Sequence, residues 1–128
     1  MQLLLDTHAL LWWLLDDPQL SPAAREAIGN ESHTVFVSAA SAWELATKHR
    51  LGKLGEAGEV VDRFDELVAA DGFSHLPITH LHSLEAGSYA VEHRDPFDRM
   101  LAAQSKLEHL VLVTRDPAFE LFGSRTLW

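Results

Sequence analysis

The sequence predicts an α/β fold in three layers, a mostly parallel central sheet with helices on both faces. Three observations predict it. Short apolar runs without polar alternation recur at LLLD (3–6), HTVFVS (33–38) and LVLVT (110–114), as in strands buried on both sides. Segments of helical spacing separate these runs, so strand alternates with helix. Pro, Gly and Asp-Gly breaks fall between the elements, with no repeat and no low-complexity linker, so residues 1–128 are expected to form a single domain.

LLLD reads as a strand that runs without a gap into a helix, THALLWWLL, which Pro18 breaks. Ser21 as N-cap and Pro22 at the first helical position open PAAREAIGN, and Gly29-Asn30 closes it. The β-branched and aromatic HTVFVS is the next strand, followed by a long helix from about Ala40 to Leu51 that Gly52 ends. EVVDRFDELVAA (59–70) places Val60, Val61, Phe64, Leu67 and Val68 at helical spacing, up to Asp71-Gly72. FSHLPI (73–78) is a short strand, and Thr79 caps a helix through about Val91. Pro96 starts PFDRMLAAQSKLEH, LVLVT is a buried strand, and RTLW ends the chain as an edge strand.

With 128 residues, 47% of them hydrophobic, the chain can bury a sizeable core without staples. It contains no cysteine, which excludes disulfide and thiolate chemistry and suits a cytoplasmic location. The apolar start LLLDTHALLWWLL is interrupted by Asp6 and His8 and is too short to span a bilayer. It has neither a basic leader nor an A-x-A site, so a signal peptide and a membrane role are not expected. Lys and Arg number 10 against 19 Asp and Glu, a net charge of −9. That balance opposes coating of nucleic acid by a basic surface, unless several carboxylates hold cations.

The placement of the acids makes that exception relevant. Asp6 inside so apolar a stretch is costly unless something compensates it. It ends the first strand, and Asp116 follows LVLVT in the same way. Asp98 lies in the first turn of the PFDRML helix, and Glu44 in the first half of the helix that leaves HTVFVS. All four are therefore expected on one side of the sheet, outside the carboxyl ends of its strands, where open parallel sheets bind ligands. Clustered carboxylates raise one another's pKa unless a cation neutralises them, and their hard oxygens suit Mg²⁺ or Mn²⁺. Capping and turn roles compete at each position taken singly: Asp6 before Thr7, Asp95 before Pro96, Asp116 before Pro117, and an i,i+4 ion pair of Glu44 with Lys48. Convergence of the set favours the metal.

The same segments resemble the PIN domain, specifically the VapC-type ribonuclease toxins of toxin–antitoxin pairs. The matching stretches are LLLDTHALLWWL, SAASAWELATKHRLGKL, LPIT, HRDPFDRMLAAQS and LVLVTRDPAF, in order from end to end. The resemblance implies a three-layer PIN-like fold and a metal-dependent endoribonuclease with Mg²⁺, or Mn²⁺, as cofactor. It carries the acidic quartet onto Asp6, Glu44, Asp98 and Asp116 as catalytic residues and metal ligands, with Asp95 in support. It also implies a homodimer, a cognate antitoxin and an RNA substrate. Thr7 and Thr114 neighbour the acids and are candidates to hold a carboxylate or a phosphate oxygen. Lys48 and Arg99 are candidates to grip RNA phosphates, against ordinary ion pairing.

Trp12 and Trp13 are candidate interface aromatics, whereas Trp43 is expected in the core. The eight histidines include His80-x-His82, a spacing that fits a strand better than a helix. Without cysteine they make a poor zinc set, and they are expected at the surface or at helix starts. Two further functions compete: a catalytically silent metal-binding interaction module, and an aspartyl-type phosphatase. The latter wants a second Asp two residues after the first, and His8 stands there.

Overall fold

A computed structural model describes all residues, 1–128. Five strands, β1 (Gln2–Leu5), β2 (Thr34–Ser38), β3 (Ser74–Leu76), β4 (Val111–Val113) and β5 (Thr126–Leu127), form one sheet in the order β3-β2-β1-β4-β5. Every pairing is parallel, with Leu4 of β1 opposite both Phe36 of β2 and Leu112 of β4. The helices are α1 (Thr7–Leu14), α2 (Pro22–Gly29), α3 (Ala39–Arg50), α4 (Glu59–Asp62), α5 (Phe64–Ala70), α6 (His80–Ser88) and α7 (Pro96–Leu107). Two 3-10 turns, Gly55–Gly58 and Pro117–Phe122, complete the order. No helix is long and apolar enough to cross a membrane.

The uninterrupted apolar runs are explained by the two cores. Successive strand residues point to opposite faces. Leu3, Leu5, Val35, Val37, Val111 and Val113 pack beneath α1, α2 and α5, with Leu10, Ala24, Ile28 and Val68. Leu4 and Leu112 face the other way, against Leu101 and Ala102 of α7 and Phe119 of the second 3-10 turn. The expected three-layer α/β/α architecture is therefore present. Chain starts and stops follow the predicted chemistry at α2, where the Ser21 hydroxyl accepts the Ala24 N–H at 3.0 Å and Pro22 is the first helical residue.

The structure corrects the expectations at several places. Residues 59–70 are not one helix: the backbone leaves helical geometry at Arg63 (φ −109°, ψ 17°) between α4 and α5. The break lets each short segment aim its own valine, Val60 and Val68, into the core. His80 and His82 sit at the start of α6, the helix-start placement expected for histidines here although their spacing suited a strand, and His82 is buried at 1% exposure. Its ring closes a capping box with Thr79 and meets Glu108 Oε1 at 2.8 Å, so its polar edges are satisfied inside. Trp12 is a core residue, edge-on to Trp128, and Trp13 is half-buried with its indole N–H donating to Asp71. Neither presents a free interface. Trp43, expected inside, is 60% exposed and touches Phe97 edge-on at 4.8 Å between ring centres. The buried side of α3 is taken by Ala40, Ser41, Glu44 and Leu45.

Candidate active site

Asp6 continues β1 beyond its last leucine: its N–H donates to the Val113 carbonyl at 3.1 Å, tying β1 to β4. Its carboxylate caps α1, accepting the Ala9 N–H at 2.7 Å. The capping role and the site role thus fall on the same side chain. Asp6 is only 6% exposed. Burial pushes its carboxyl pKa up; the neighbouring Thr114 hydroxyl and the Ala9 N–H hold it down, and the charge of Glu44 raises it further.

Glu44 projects from α3, buried at 7% exposure. Its Oε2 meets Lys48 Nζ at 2.9 Å, one helical turn on, so Lys48 makes the ordinary i,i+4 pair. Asp98 stands in the first turn of α7 with its Oδ2 at 2.8 Å from His93 Nε2. Burial raises the Asp98 carboxyl to about 6; the His93 hydrogen bond opposes the rise, and the charges of Asp95 and Glu44 add to it. The Glu44 charge is the smallest of the influences on each aspartate. Asp95 caps α7, its Oδ1 accepting the N–H groups of Phe97 and Asp98 at 2.9 and 3.0 Å.

Asp116 is more loosely associated. It follows β4, is exposed, and accepts the Ala118 N–H at 2.9 Å as the cap of the second 3-10 turn. Thr114, buried at 3% exposure, links it to the others: its Oγ1 accepts the Asp116 N–H at 3.0 Å and lies beside Asp6. Thr7 joins α1 to α3, its hydroxyl donating to Ser41 Oγ at 3.0 Å.

The four acids are expected on one side of the sheet, and they are not drawn into a ready ligand set. No three His, Asp or Glu side chains form a ready metal-binding group. Like charges separate, and Glu44 and Asp98 each take a local partner, Lys48 and His93. In kind the donors fit a hard divalent cation: they are carboxylates, and Asp6 and Asp98 are pushed toward protonation by burial and by a like charge.

Arg99 departs from its expected role. Its guanidinium is directed at backbone carbonyls of residues 86–93 rather than outward to solvent. It is committed to the fold and is not a free phosphate grip. The same contacts explain why α6 ends at Ser88 rather than near Val91. Sequence reasoning also missed His93. It lies in the irregular connection between α6 and α7, where periodicity carries no signal; its position five residues ahead of Asp98 in HRDPFD was the one available hint.

The family model described as PIN domain matches residues 3–123. A search of curated protein sequences found no match. Among solved structures, a chain of FitAcB from Neisseria gonorrhoeae is similar at TM-score 0.71 and 23% identity, covering 100% of this chain and 97% of that one. A chain of VapBC2 from Rickettsia felis, bound to a DNA fragment from their promoter, gives TM-score 0.72 at 14% identity, with 99% and 98% coverage. A chain of FitAB bound to IR36 DNA gives 0.60 at 20% identity, with 99% and 94% coverage.

Proposed function

The chain belongs to the PIN domain family, and on that premise we propose that it is a metal-dependent endoribonuclease, the toxin of a VapC-type toxin–antitoxin pair. The observation that carries the reading is the position of three acids in the fold: Asp6 directly after β1, Glu44 buried on α3, which follows β2, and Asp98 in the first turn of α7. Asp6, Asp98, Asp116 and Glu44 are the residues that would hold Mg²⁺ or Mn²⁺. The ion would supply positive charge at the scissile phosphate and acidify a water for in-line attack.

The chain's own groups do the rest. Glu44, once turned from Lys48, orients the attacking water and accepts its proton. Lys48, then free of its partner, faces phosphate. His93 holds Oδ2 of Asp98 and leaves Oδ1 open. Asp95 keeps the first turn of α7 in place, and Thr114 ties the Asp6 and Asp116 segments together.

The substrate is single-stranded or loop RNA, because unstacked nucleotides bend into a carboxylate-lined edge where a duplex does not. With a net charge of −9 the chain binds RNA weakly in general, so recognition is local. The similar structures named VapBC2 and FitAB are complexes, which supports a cognate antitoxin here. A homodimer and a cytoplasmic location complete the reading. Exposed Trp43, Leu81 and Leu84 supply apolar surface for such contacts.

The test is expression of the chain without a partner, with RNA 5′ ends mapped across the transcriptome. Sharp new ends that vanish in Asp6→Asn support the toxin, and purified protein should cut with Mg²⁺ or Mn²⁺ and stop with EDTA. A folded, metal-binding chain that produces no new ends would establish the silent interaction module instead.

A further inference from the structure

Arg99 carries a charge that no carboxylate partners. Its Nε donates to the Ala86 carbonyl at 2.9 Å and its Nη2 to Tyr89 at 2.7 Å. Its Nη1 donates to Val91 at 3.2 Å and to His93 at 3.0 Å. The first of these carbonyls lies in the last turn of α6, where a helix leaves acceptors unpaired and favours a cation. The other three belong to a stretch without regular structure that ends at the cap of α7. The guanidinium thus replaces the backbone ladder that residues 89–93 lack, and the connection is wound around one planar, five-donor group. The outcome of that winding is the position of His93: its carbonyl is fixed by Arg99, and its ring reaches Asp98 Oδ2 at 2.8 Å.

We propose that Arg99 is a positioning residue for the active-site acid Asp98, acting through the backbone of 86–93 and the ring of His93. It contacts neither substrate nor the carboxylate itself. Resting on the metal-dependent reading above, the inference adds that cation affinity at this edge depends on a guanidinium that no cation touches. Outer partners of ligating carboxylates act in this way, and their loss costs 10–100-fold in metal affinity. Lysine does not substitute, since one ammonium with three donors cannot span four carbonyls spread over eight residues.

The test uses the full chain as wild type, Arg99→Lys, Arg99→Ala, His93→Ala and the double variant His93→Ala/Arg99→Lys. Mn²⁺ affinity is measured by calorimetry, amide exchange is followed at 87–93, and the His93 ring is observed by long-range ¹H–¹⁵N NMR. Arg99→Lys should speed exchange at 87–93, detach the His93 ring from Asp98, and weaken Mn²⁺ about 10-fold or more. His93→Ala should weaken Mn²⁺ equally while exchange at 87–93 stays slow. The double variant should be no worse than either single change, because the two act in series. Additive losses, or a His93 ring that stays on Asp98 in Arg99→Lys, would overturn the proposal, as would wild-type Mn²⁺ affinity in folded Arg99→Lys. If Arg99→Ala does not fold, Arg99→Lys and His93→Ala still decide. Should the wild type bind no Mn²⁺, the metal reading falls, and release of the His93 ring in Arg99→Lys would still uphold the positioning role.

Discussion

Asp98 shows how one side chain is made useful at a cost to the fold. Its carboxyl is raised to about 6 by burial and by the charges of Asp95 and Glu44, against the opposing His93 contact. The folded protein therefore holds this proton more tightly than the unfolded chain, whose value is near 3.8. The sign follows from proton linkage: the folded state binds the extra proton between those values, so stability falls as pH rises through 4 to 6 and stays reduced above. Asp98→Asn removes the titration. In metal-free buffer at pH 7.5 the variant should be more stable than the wild type by about 2 kcal/mol, and the difference should vanish near pH 4. Urea melts at the two pH values read this directly; a variant less stable at pH 7.5 would show that the carboxylate is a structural partner of His93. Asp6→Asn should keep the helix cap, since asparagine caps as well as aspartate, and should lose cleavage while the far-ultraviolet spectrum is unchanged. Loss of the fold in that variant would return Asp6 to a capping role alone.

The elements divide those roles among themselves, and α7 does so within its first turn. Asp95 accepts two N–H groups of that turn, whereas Asp98, three residues on, faces the acids. Asp95→Ala should therefore cost about 1 kcal/mol, with Asp95→Asn close to the wild type, read as thermal midpoints. Equal destabilisation by both changes would mean that charge, not capping, is what Asp95 supplies. Deeper in α7, Gln104 is buried and bridges elements: its Oε1 accepts the Ser38 hydroxyl and its Nε2 donates to the Pro77 carbonyl at 3.2 Å. Gln104→Leu removes the acceptor of the buried Ser38 hydroxyl and the donor to the Pro77 carbonyl, and should cost about 1–3 kcal/mol; a neutral melt would show that the bridge is dispensable. What the sequence made legible follows the same division. Parallel strands and the helix starts at Ser21 and Asp95 could be read, because each rests on local pattern or on strand order. The partners that orient the acids could not. His93 and Arg99 act through an irregular connection with no period, and Arg99 looked like a surface cation because nothing local shows that four carbonyls await it. Trp43 was misplaced because residue type alone does not say which flank of a helix a neighbouring element covers.

At the scale of the whole molecule, acidic side chains outnumber basic ones, and the candidate site shares in that excess. The net charge is −9, and Asp6 and Asp98 are both displaced toward protonation by burial, with Glu44 adding to each. A cation that binds only the folded state stabilises it by mass action, about 2.7 kcal/mol at one hundred times its dissociation constant. For a domain of this size that amounts to roughly 10 °C in thermal midpoint. The gain must depend on pH, since the ion competes with the protons those carboxylates hold. At pH 7.5 Asp98 is ionised and repelled by its neighbours, so saturating Mg²⁺ or Mn²⁺ relieves a penalty that is present. At pH 5, below the Asp98 value of about 6, Asp98 holds its proton and the same concentration of ion should raise the midpoint by a smaller amount. Asp6→Asn should abolish the shift at both pH values. Thermal scans with Mg²⁺, Mn²⁺ and EDTA at pH 5 and 7.5 make the comparison without any RNA, so they probe the site independently of the substrate. A midpoint that rises equally at both pH values, or rises in Asp6→Asn as in the wild type, would place the ion elsewhere on this acidic surface.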